Sequence, residues 1–392
     1  MKKAVLIGIN KFPDGDAGAK RMLGLGSLFV LCGYEASFVG TGYVNEITRP
    51  RTLIGSRVLS VRKFKNNNFF LKILNYVSYR RRIWKLLIKE FSQFDVWCID
   101  GTYGYCQYTR KIINFCKKNK IRLFFSLTEY FSKSEFIFKC LSLGYRRNVL
   151  FYRKLNPLDC DIIAISSYIG SIFSSQKFSS IVIPFIYDLE YFQKQEKKLD
   201  LNKTVFIYSG YPGKKDLVGA MIDAFIRIRH EIEKSKFEVH FLGFNESEAR
   251  KYSPLLKKTN ASDYLIFHGK VSNDEVIRFY SMSDYSILLR PRRKRYAMAG
   301  FPTKITESMA LSVAPITNYT SDLGKYLNSA NSIEVKGEEV DDFCCSIKTA
   351  LLYKEKHISL GHKAFDTYKS FFTPEAQKES FLAFMHGPNE KK

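Results

Sequence analysis

The chain has 392 residues, of which 45% are hydrophobic and 26% are charged. It is therefore long enough for two globular domains and too apolar to be disordered. Lys and Arg number 62 against 38 Asp and Glu, which gives a net charge of +24. The excess is concentrated in residues 1–190, whose net charge is +17. Such a basic surface is typical of proteins that meet nucleic acid, anionic lipid or anionic small molecules.

The eight cysteines contain no Cys-x-x-Cys pair and no zinc-type spacing, which favours free thiols in a reducing compartment. No apolar run approaches the roughly 18 residues that would span a bilayer. The apolar stretch Ala4–Ile9 is too short for a signal peptide and has no small-residue cleavage site after it, so it predicts a first strand. We expect a cytoplasmic protein.

Short apolar runs alternate with helical patterns in the first half of the chain, which predicts βαβ units around a parallel sheet. The predicted strands are 5–9, 36–39, 96–99, 122–126, 162–165 and 181–185, and the predicted helices are 17–32, 69–91, 109–118 and 135–146. The charged segment 193–202 interrupts this pattern and predicts a linker.

The same alternation starts again after the linker. Strands are predicted at 205–208, 237–242, 264–268, 285–289 and 314–317, with helices at 217–232, 273–282 and 302–311. Further helices are predicted after 317 up to about residue 372, and a last helix at 375–384. Each half opens with a strand, a glycine-bearing turn and a helix, which predicts two Rossmann-like α/β domains. Ligands of such sheets bind at the carboxyl ends of the strands, so two facing domains suit a reaction between two substrates.

The first candidate loop follows strand 5–9 and contains two glycines that allow a ligand to approach the backbone. It matches neither the dinucleotide pattern G-x-G-x-x-G nor a P-loop, and a tight turn alone explains the glycines equally well. Anions are favoured at the helix start that follows. Candidates for contact with an acceptor, through a phosphate or a hydroxyl, are Gly15, Asp16, Gly18, Lys20, Arg21 and Glu129.

The second candidate loop, residues 208–216, carries Gly210, Gly213 and the pair Lys214 and Lys215 before a predicted helix. Lysines at a helix start oppose the helix dipole. A bound phosphate explains their position better than a solvated surface does.

The third candidate loop follows strand 285–289 and is rich in Arg and Lys. Backbone N–H groups near its glycine, together with the basic side chains, can hold a diphosphate, and Glu307 can accept hydrogen bonds from two ribose hydroxyls. The alternative is a basic loop followed by an exposed glutamate. The candidate catalytic cations are Lys215, Arg290 and Lys304, and the candidate donor-binding residues are Gly210, Gly213, Arg295, Gly300, Phe301, Pro302, Thr303, Glu307 and Ser308.

These stretches resemble glycosyltransferase family 4. The sequence RYAMAGFPTKITESMALSVAPI at 295–316 is similar to the donor-binding signature of that family, and YSGYPGKKDL at 208–217 is similar to its phosphate-binding turn. In the first half, TEY, DIIAISSY and IPFIYD follow the order of the family's segments. The resemblance covers most of the chain, is strongest in 205–320 and is weak in 41–95.

The resemblance implies a GT-B fold, with two Rossmann-like domains that face each other across a cleft. Residues 1–190 would bind the acceptor and 191–371 the nucleotide sugar, while the last helix, 373–388, would pack back onto the first domain. The implied activity is retaining transfer of a hexose from a UDP- or GDP-linked sugar to a glycan or polyprenyl-linked glycan in cell-surface polysaccharide synthesis. We expect no cofactor and no essential metal, and no nucleic-acid partner.

Two positions depart from the family pattern. The family often has two glutamates separated by seven residues; Glu307 matches the second, whereas the first position is Ala299. This puts the identity of the sugar in doubt. The arginine that often follows the turn glycine is Tyr211 here, which leaves the phosphate clamp to Lys215 and an arginine of 290–295.

Other functions remain open at this point. The charge permits a nucleic-acid-binding protein, although no RRM, KH, helix-turn-helix or zinc signature is present, and the resemblance also permits a sugar-nucleotide hydrolase or epimerase. Segments 49–65 and 79–91 interleave basic with aromatic and aliphatic residues, as in helices that lie on an anionic membrane. A helix docked on the sheet with a basic outer face explains 79–91 as well.

Overall fold

The computed structural model describes residues 1–9, 17–42, 56–62, 69–104, 106–131, 143–192, 202–213, 215–229, 231, 237–353 and 355–387. The chain divides into two compact units. One unit comprises Met1–Tyr191 with Thr373–Lys392, and the other comprises Phe192–Phe372.

The first unit is built on a seven-stranded parallel sheet with the strand order β3-β2-β1-β4-β5-β6-β7. Its strands are β1 (Lys2–Ile7), β2 (Tyr34–Gly42), β3 (Arg57–Arg62), β4 (Val96–Asp100), β5 (Arg122–Leu127), β6 (Asp161–Ala164) and β7 (Ser180–Val182). Its helices up to this point are α1 (Ala17–Leu31), α2 (Phe69–Glu90), α3 (Gln107–Lys118), α4 (Leu143–Lys154) and α5 (Ser167–Ser175). Every residue of β4 is buried, as expected for a central parallel strand that is covered on both faces.

The second unit is built on a six-stranded parallel sheet with the order β10-β9-β8-β11-β12-β13. Its strands are β8 (Thr204–Ser209), β9 (Phe237–Leu242), β10 (Leu265–Phe267), β11 (Tyr285–Leu288), β12 (Ala314–Thr317) and β13 (Ile333–Glu334). Its helices are α6 (Val218–Arg229), α7 (Glu246–Ala249), α8 (Asn273–Ser281), α9 (Arg295–Ala299), α10 (Thr303–Ala310), α11 (Val340–Leu352) and α12 (Lys356–Phe371). In this sheet the strand order reverses between β8 and β11, and in the first sheet between β1 and β4.

The last helix, α13 (Pro374–His386), belongs to the first unit. Phe381 is fully buried in the core of that unit, where its ring lies edge-on to Phe29 at 5.1 Å. Arg122 at the start of β5 donates from Nη1 to Met385 O at 2.7 Å. The Thr373 hydroxyl caps the helix by accepting a hydrogen bond from Ala376 N.

The predicted alternation of strands and helices in two Rossmann-like units is confirmed. No bounds were predicted for β3, β13, α5, α7 and α9; of these, β13, α7 and α9 have only two to five residues. Strand β1 begins at Lys2, earlier than predicted, because its pairing with β2 uses backbone groups and does not require apolar side chains. Residues 193–201 of the predicted linker and 135–142 of the predicted helix 135–146 lie outside the described residues.

Within the described ranges, no helix is both long and apolar enough to cross a membrane. The seven cysteines of those ranges are all free, and Cys140 lies outside them. In the same part of the chain, no three His, Cys, Asp or Glu side chains cluster closely enough to hold a metal ion.

Candidate functional site

The candidate site of the second unit lies where β8 and β11 end, side by side, at Ser209 and Leu288. The strand order of the sheet reverses between these two strands, and open α/β sheets bind their ligands at that position. The turn after β8 leads into α6, and the segment after β11 leads into α9 and α10. Three charged side chains from these segments meet: Asp216, Arg290 and Lys304.

Asp216 connects the two cations. Its Oδ2 is in direct contact with Lys304 Nζ, and its Oδ1 lies 3.6 Å from Arg290 Nε. The Tyr208 hydroxyl donates a hydrogen bond of 2.6 Å to the same Oδ2 and accepts one of 2.6 Å from Lys304 Nζ. One carboxylate and one phenol thus hold Lys304 against the end of β8.

Burial shifts the protonation equilibria of this group. It lowers the pKa of Lys304, and the neighbouring carboxylate of Asp216 opposes that shift. Burial also raises the pKa of Tyr208 well above its ordinary value, so its hydroxyl stays protonated and can donate to Asp216. The site therefore combines a neutral donor, a carboxylate and two basic groups.

Arg290 is held by backbone contacts at the end of β11. Its N–H donates to Asn318 Oδ1 at 3.0 Å, and Asn318 Nδ2 donates to its carbonyl oxygen at 2.6 Å. The Arg290 side chain is only 6% exposed. Asn318 follows β12, so two adjacent strand ends fix the backbone of Arg290.

Gly210 lies in the left-handed region of backbone conformation, which favours glycine, and the end of the Lys304 side chain lies against it. Its φ is +116°, and a Cβ at this position would lie 2.7 Å from Lys304 Cε. Gly243, which follows β9, has φ of +106° and would bring its own Cβ to 2.7 Å from the Gly210 carbonyl carbon. Gly213 also lies in the left-handed region with φ of +53°, where glycine is favoured.

Helix α10 begins beside Lys304. Pro302 is the residue before the helix rather than part of its first turn, and Thr303 is the first helical residue. One turn later, Glu307 is half-buried, and burial together with its carboxylate raises the pKa of Tyr280. Lys304 and Glu307 thus lie in the first two turns of α10, close enough for the Glu307 carboxylate to act on the pKa of Lys304.

Several predicted donor residues have packing roles. Phe301 is buried, with its ring 5.6 Å from that of Phe372. Ser308 is fully buried and donates to Ile305 O within its own helix. Arg295 and Gly300 lie at the two ends of the short helix α9, which the sequence analysis treated as loop. Ala299, at the first position of the glutamate pair, is fully buried.

Lys215 is exposed on the turn before α6, and Lys214 lies outside the described residues. The residue next to it, Asp216, is the one that turns inward. Neither Asp216 nor Tyr208 was predicted from the sequence. Asp216 could have been found as an acidic residue just before a helix, because the helix dipole favours a negative charge there.

The candidate acceptor residues of the first unit have different environments. Gly15 and Asp16 are outside the described residues, whereas Gly18 and Lys20 lie in the first turns of α1. Arg21 is 1% exposed and donates from Nη1 to Pro184 O, and burial lowers its pKa to about 10. The carbonyl oxygen of Glu129 accepts a hydrogen bond from the Tyr152 hydroxyl.

A cavity of about 950 Å³ lies elsewhere in the second unit, beside β13, α11 and α12. Its lining includes Glu334, Lys336, Cys345 and Tyr353. It contains none of the predicted donor residues.

The comparisons with known proteins concern the family and the fold. Residues 190–366 match the family model described as Glycosyl transferases group 1. No curated protein sequence matches the chain. Among solved structures, sucrose-phosphate synthase from Thermosynechococcus elongatus superposes with a TM-score of 0.71 at 12% identity, covering 97% of each chain.

Two further solved structures are similar over their whole length. WaaG, a glycosyltransferase involved in lipopolysaccharide biosynthesis, gives a TM-score of 0.66 at 12% identity and covers 98% of this chain and 100% of its own. HepE from Anabaena, in complex with UDP and glucose, gives 0.64 at 12% identity and covers 98% and 99%. At these identities the similarity establishes the fold, and the fold is GT-B.

Proposed function

From the glycosyl transferases group 1 match of residues 190–366 and the GT-B fold, we propose that this chain is a glycosyltransferase that uses a nucleotide-sugar donor. The observation that carries the proposal is the convergence of Lys304 and Arg290 at the ends of β8 and β11. Two buried basic groups at the ligand-binding edge of an α/β sheet suit an anionic ligand such as a diphosphate.

The proposed roles follow from position. Lys304 and Arg290 bind the diphosphate of a UDP- or GDP-linked sugar, together with the N–H groups at the start of α10, where the helix dipole favours an anion. Glu307, one turn later, accepts hydrogen bonds from the ribose hydroxyls. The HepE structure, which contains UDP and glucose, supports a uridine nucleotide as the first donor to test.

We assign the reaction to the retaining class, with attack of the acceptor on the face from which the diphosphate leaves. Negative charge grows on the diphosphate as its bond to the sugar breaks. Lys304 and Arg290 then stabilise the transition state more than the ground state, which raises kcat. The acceptor is a glycan or lipid-linked glycan, and WaaG, whose work is in lipopolysaccharide biosynthesis, supports that class.

The donor proposal is tested by ligand-induced stabilisation. A nucleotide at 100 times its Kd stabilises the folded state by about 2.7 kcal/mol, so UDP or GDP should raise the melting temperature measurably. Uridine and guanosine, which lack phosphates, are the matched control ligands and should have far smaller effects. Equal stabilisation by nucleoside and nucleotide, or tighter binding of random-sequence RNA than of any nucleotide, would contradict the proposal.

The basic outer face of the first unit supports contact with an anionic membrane surface. In α2, Ile83 and Leu87 are fully buried against the unit, which leaves Arg81, Lys85 and Lys89 exposed. The neighbouring α3 adds a further set of exposed basic residues, namely Arg110, Lys111, Lys117 and Lys118. Because Ile83 and Leu87 are occupied in packing within the unit, the contact we propose is electrostatic and needs no insertion. Of segment 49–65, only 56–62 are described.

Vesicle co-sedimentation tests the membrane contact. Each basic residue near an anionic surface contributes about 1 kcal/mol, so Arg81→Glu/Lys85→Glu should reduce binding to anionic vesicles at least tenfold. Lys257→Glu/Lys258→Glu makes the same charge change on exposed residues of the second unit and serves as the control. Equal binding of the unaltered chain to neutral and anionic vesicles at low salt would reject the membrane contact.

A further inference from the structure

The donor site contains a carboxylate of its own, which is unexpected in a site for an anion. The Asp216 side chain is 8% exposed and lies between Lys304 and Arg290, whose side chains are 20% and 6% exposed. The formal charge of the three groups is therefore +1 rather than +2. Water screens charges at such low exposure only weakly, so each of them influences a ligand strongly.

Contacts from other elements hold the carboxylate and the ammonium in place. Tyr208, which is fully buried, donates to Asp216 Oδ2 at 2.6 Å, and its ring centroid lies 4.0 Å from Lys304 Nζ. Gly210 lies against the end of the lysine side chain, and a Cβ there would lie 2.7 Å from Lys304 Cε. These contacts connect the end of β8, the turn before α6 and the first turn of α10.

We propose that Asp216 is a positioning residue of the donor site, which acts as the counter-anion of Lys304 and Arg290 when no phosphate is bound. It keeps the two cations at the ends of β8 and β11, where the donor diphosphate binds. The inference rests on the proposed function for the identity of that diphosphate. Because the carboxylate also repels an arriving phosphate, its charge limits the affinity of the site for the nucleotide released after transfer.

Asp216→Asn separates these effects, because it keeps the shape and can accept the hydrogen bond from Tyr208 but removes the charge. We expect inorganic pyrophosphate, UDP and GDP each to bind about tenfold more tightly, since a nearby like charge has been removed. The ligand-free variant should melt at a lower temperature, because two buried cations have lost their counter-anion. Asp216→Glu retains the charge and should restore the original affinity for pyrophosphate.

The matched control is Asp263→Asn, which makes the same charge change at a half-exposed carboxylate 3.1 Å from Arg229, next to the start of β10. It should leave pyrophosphate affinity unchanged. In the double variant Asp216→Asn/Lys304→Met, the gain in affinity should disappear, because the cation released by the first substitution is absent. If Asp216→Asn does not fold, Asp216→Ser provides the same measurement with a smaller neutral side chain.

The outcomes distinguish this inference from the donor proposal. A lower melting temperature with unchanged or weaker pyrophosphate affinity would show that Asp216 is only structural and would overturn the inference. Failure of every variant to bind pyrophosphate would overturn it as well. Tighter pyrophosphate binding by Asp216→Asn without binding of any nucleotide would support the counter-anion role of Asp216 and contradict the proposed nucleotide-sugar donor.

Discussion

His357 Nε2 lies 3.0 Å from Asp284 Oδ1, and the two side chains are 4% and 0% exposed. Asp284 Oδ2 also accepts a hydrogen bond of 2.7 Å from Val205 N. The carboxylate thus joins the beginning of α12 to the amino ends of β8 and β11. This contact lies at the end of the sheet opposite to the candidate donor site and has a structural role.

His357→Ala should destabilise the second unit by about 3 kcal/mol, because it leaves a buried carboxylate without one of its polar contacts. Urea unfolding of the full chain measures the change. Asp366→Ala, which removes the exposed partner of Lys369, is the control and should cost less than about 1 kcal/mol. A similar loss in both variants would argue against a special role for the buried pair.

Stability of the second unit should fall at mildly acidic pH because of His240 and His268. Their Nδ1 and Nε2 atoms are 2.8 Å apart, and burial lowers the pKa of both imidazoles. The unfolded chain therefore binds more protons than the folded chain below about pH 6.5. The stability is fully present above that pH and is lost as the pH falls toward the folded pKa values.

Urea unfolding at pH 7.5 and pH 5.5 tests this dependence, with His268→Gln as the comparison. The free energy of unfolding should drop between the two values in the unaltered chain and drop less in the variant. The carboxylate of Glu238, 2.6 Å from His240 Nε2, titrates below this window and does not interfere. An identical pH dependence in both proteins would assign the effect to other groups.

Gly210→Ala should impair nucleotide binding as well as stability. The added Cβ would lie 2.7 Å from Lys304 Cε at a φ of +116°, so we expect the end of the lysine side chain to shift from its position beside Asp216. Gly33→Ala is the control for backbone strain, since Gly33 has φ of +85° and no atom within 4 Å of an added Cβ. Both variants should lose about 1 kcal/mol of stability from strain, whereas only Gly210→Ala should weaken UDP or GDP binding.

Lys304→Ala and Lys215→Ala should differ strongly in steady-state kinetics. Lys304 contacts Asp216 and Tyr208 at the strand ends, whereas Lys215 is exposed on the turn. We expect Lys304→Ala to lower kcat by about 10²–10³, by analogy with the loss of one oxyanion donor. Lys215→Ala should have a much smaller effect. The reverse order would mean that the exposed lysine moves onto the diphosphate when the donor binds.

Glu307→Gln should weaken nucleotide binding without altering the fold. If the carboxylate accepts both ribose hydroxyls, charge-assisted hydrogen bonds of roughly 1.5–3 kcal/mol are weakened. Titration calorimetry with UDP and with pyrophosphate separates the contributions, because only the nucleotide carries a ribose. The melting temperature of the ligand-free variant should be unchanged. Early unfolding with intact nucleotide affinity would instead identify Glu307 as a structural residue.

The sequence by itself determined the two α/β units and the region of the second unit where a ligand site was expected. Apolar runs of strand length alternate with helical patterns, and this order alone requires parallel sheets. Likewise, Gly210 and the basic loop before α10 follow strands directly, so their place at carboxyl ends was readable from local order. Strand β13 was missed because only two residues carry its pattern.

Only the tertiary structure decided which charges meet. Lys304 contacts Asp216 across 88 residues of sequence, and this contact depends on β8 lying beside β11, which the order of elements along the chain does not specify. For the same reason two adjacent residues differ in their surroundings: Lys215 is exposed on the turn, whereas the Asp216 carboxylate contacts Lys304. The partner of a side chain is determined by the elements packed around it, whereas the chain's own pattern determines only which elements form.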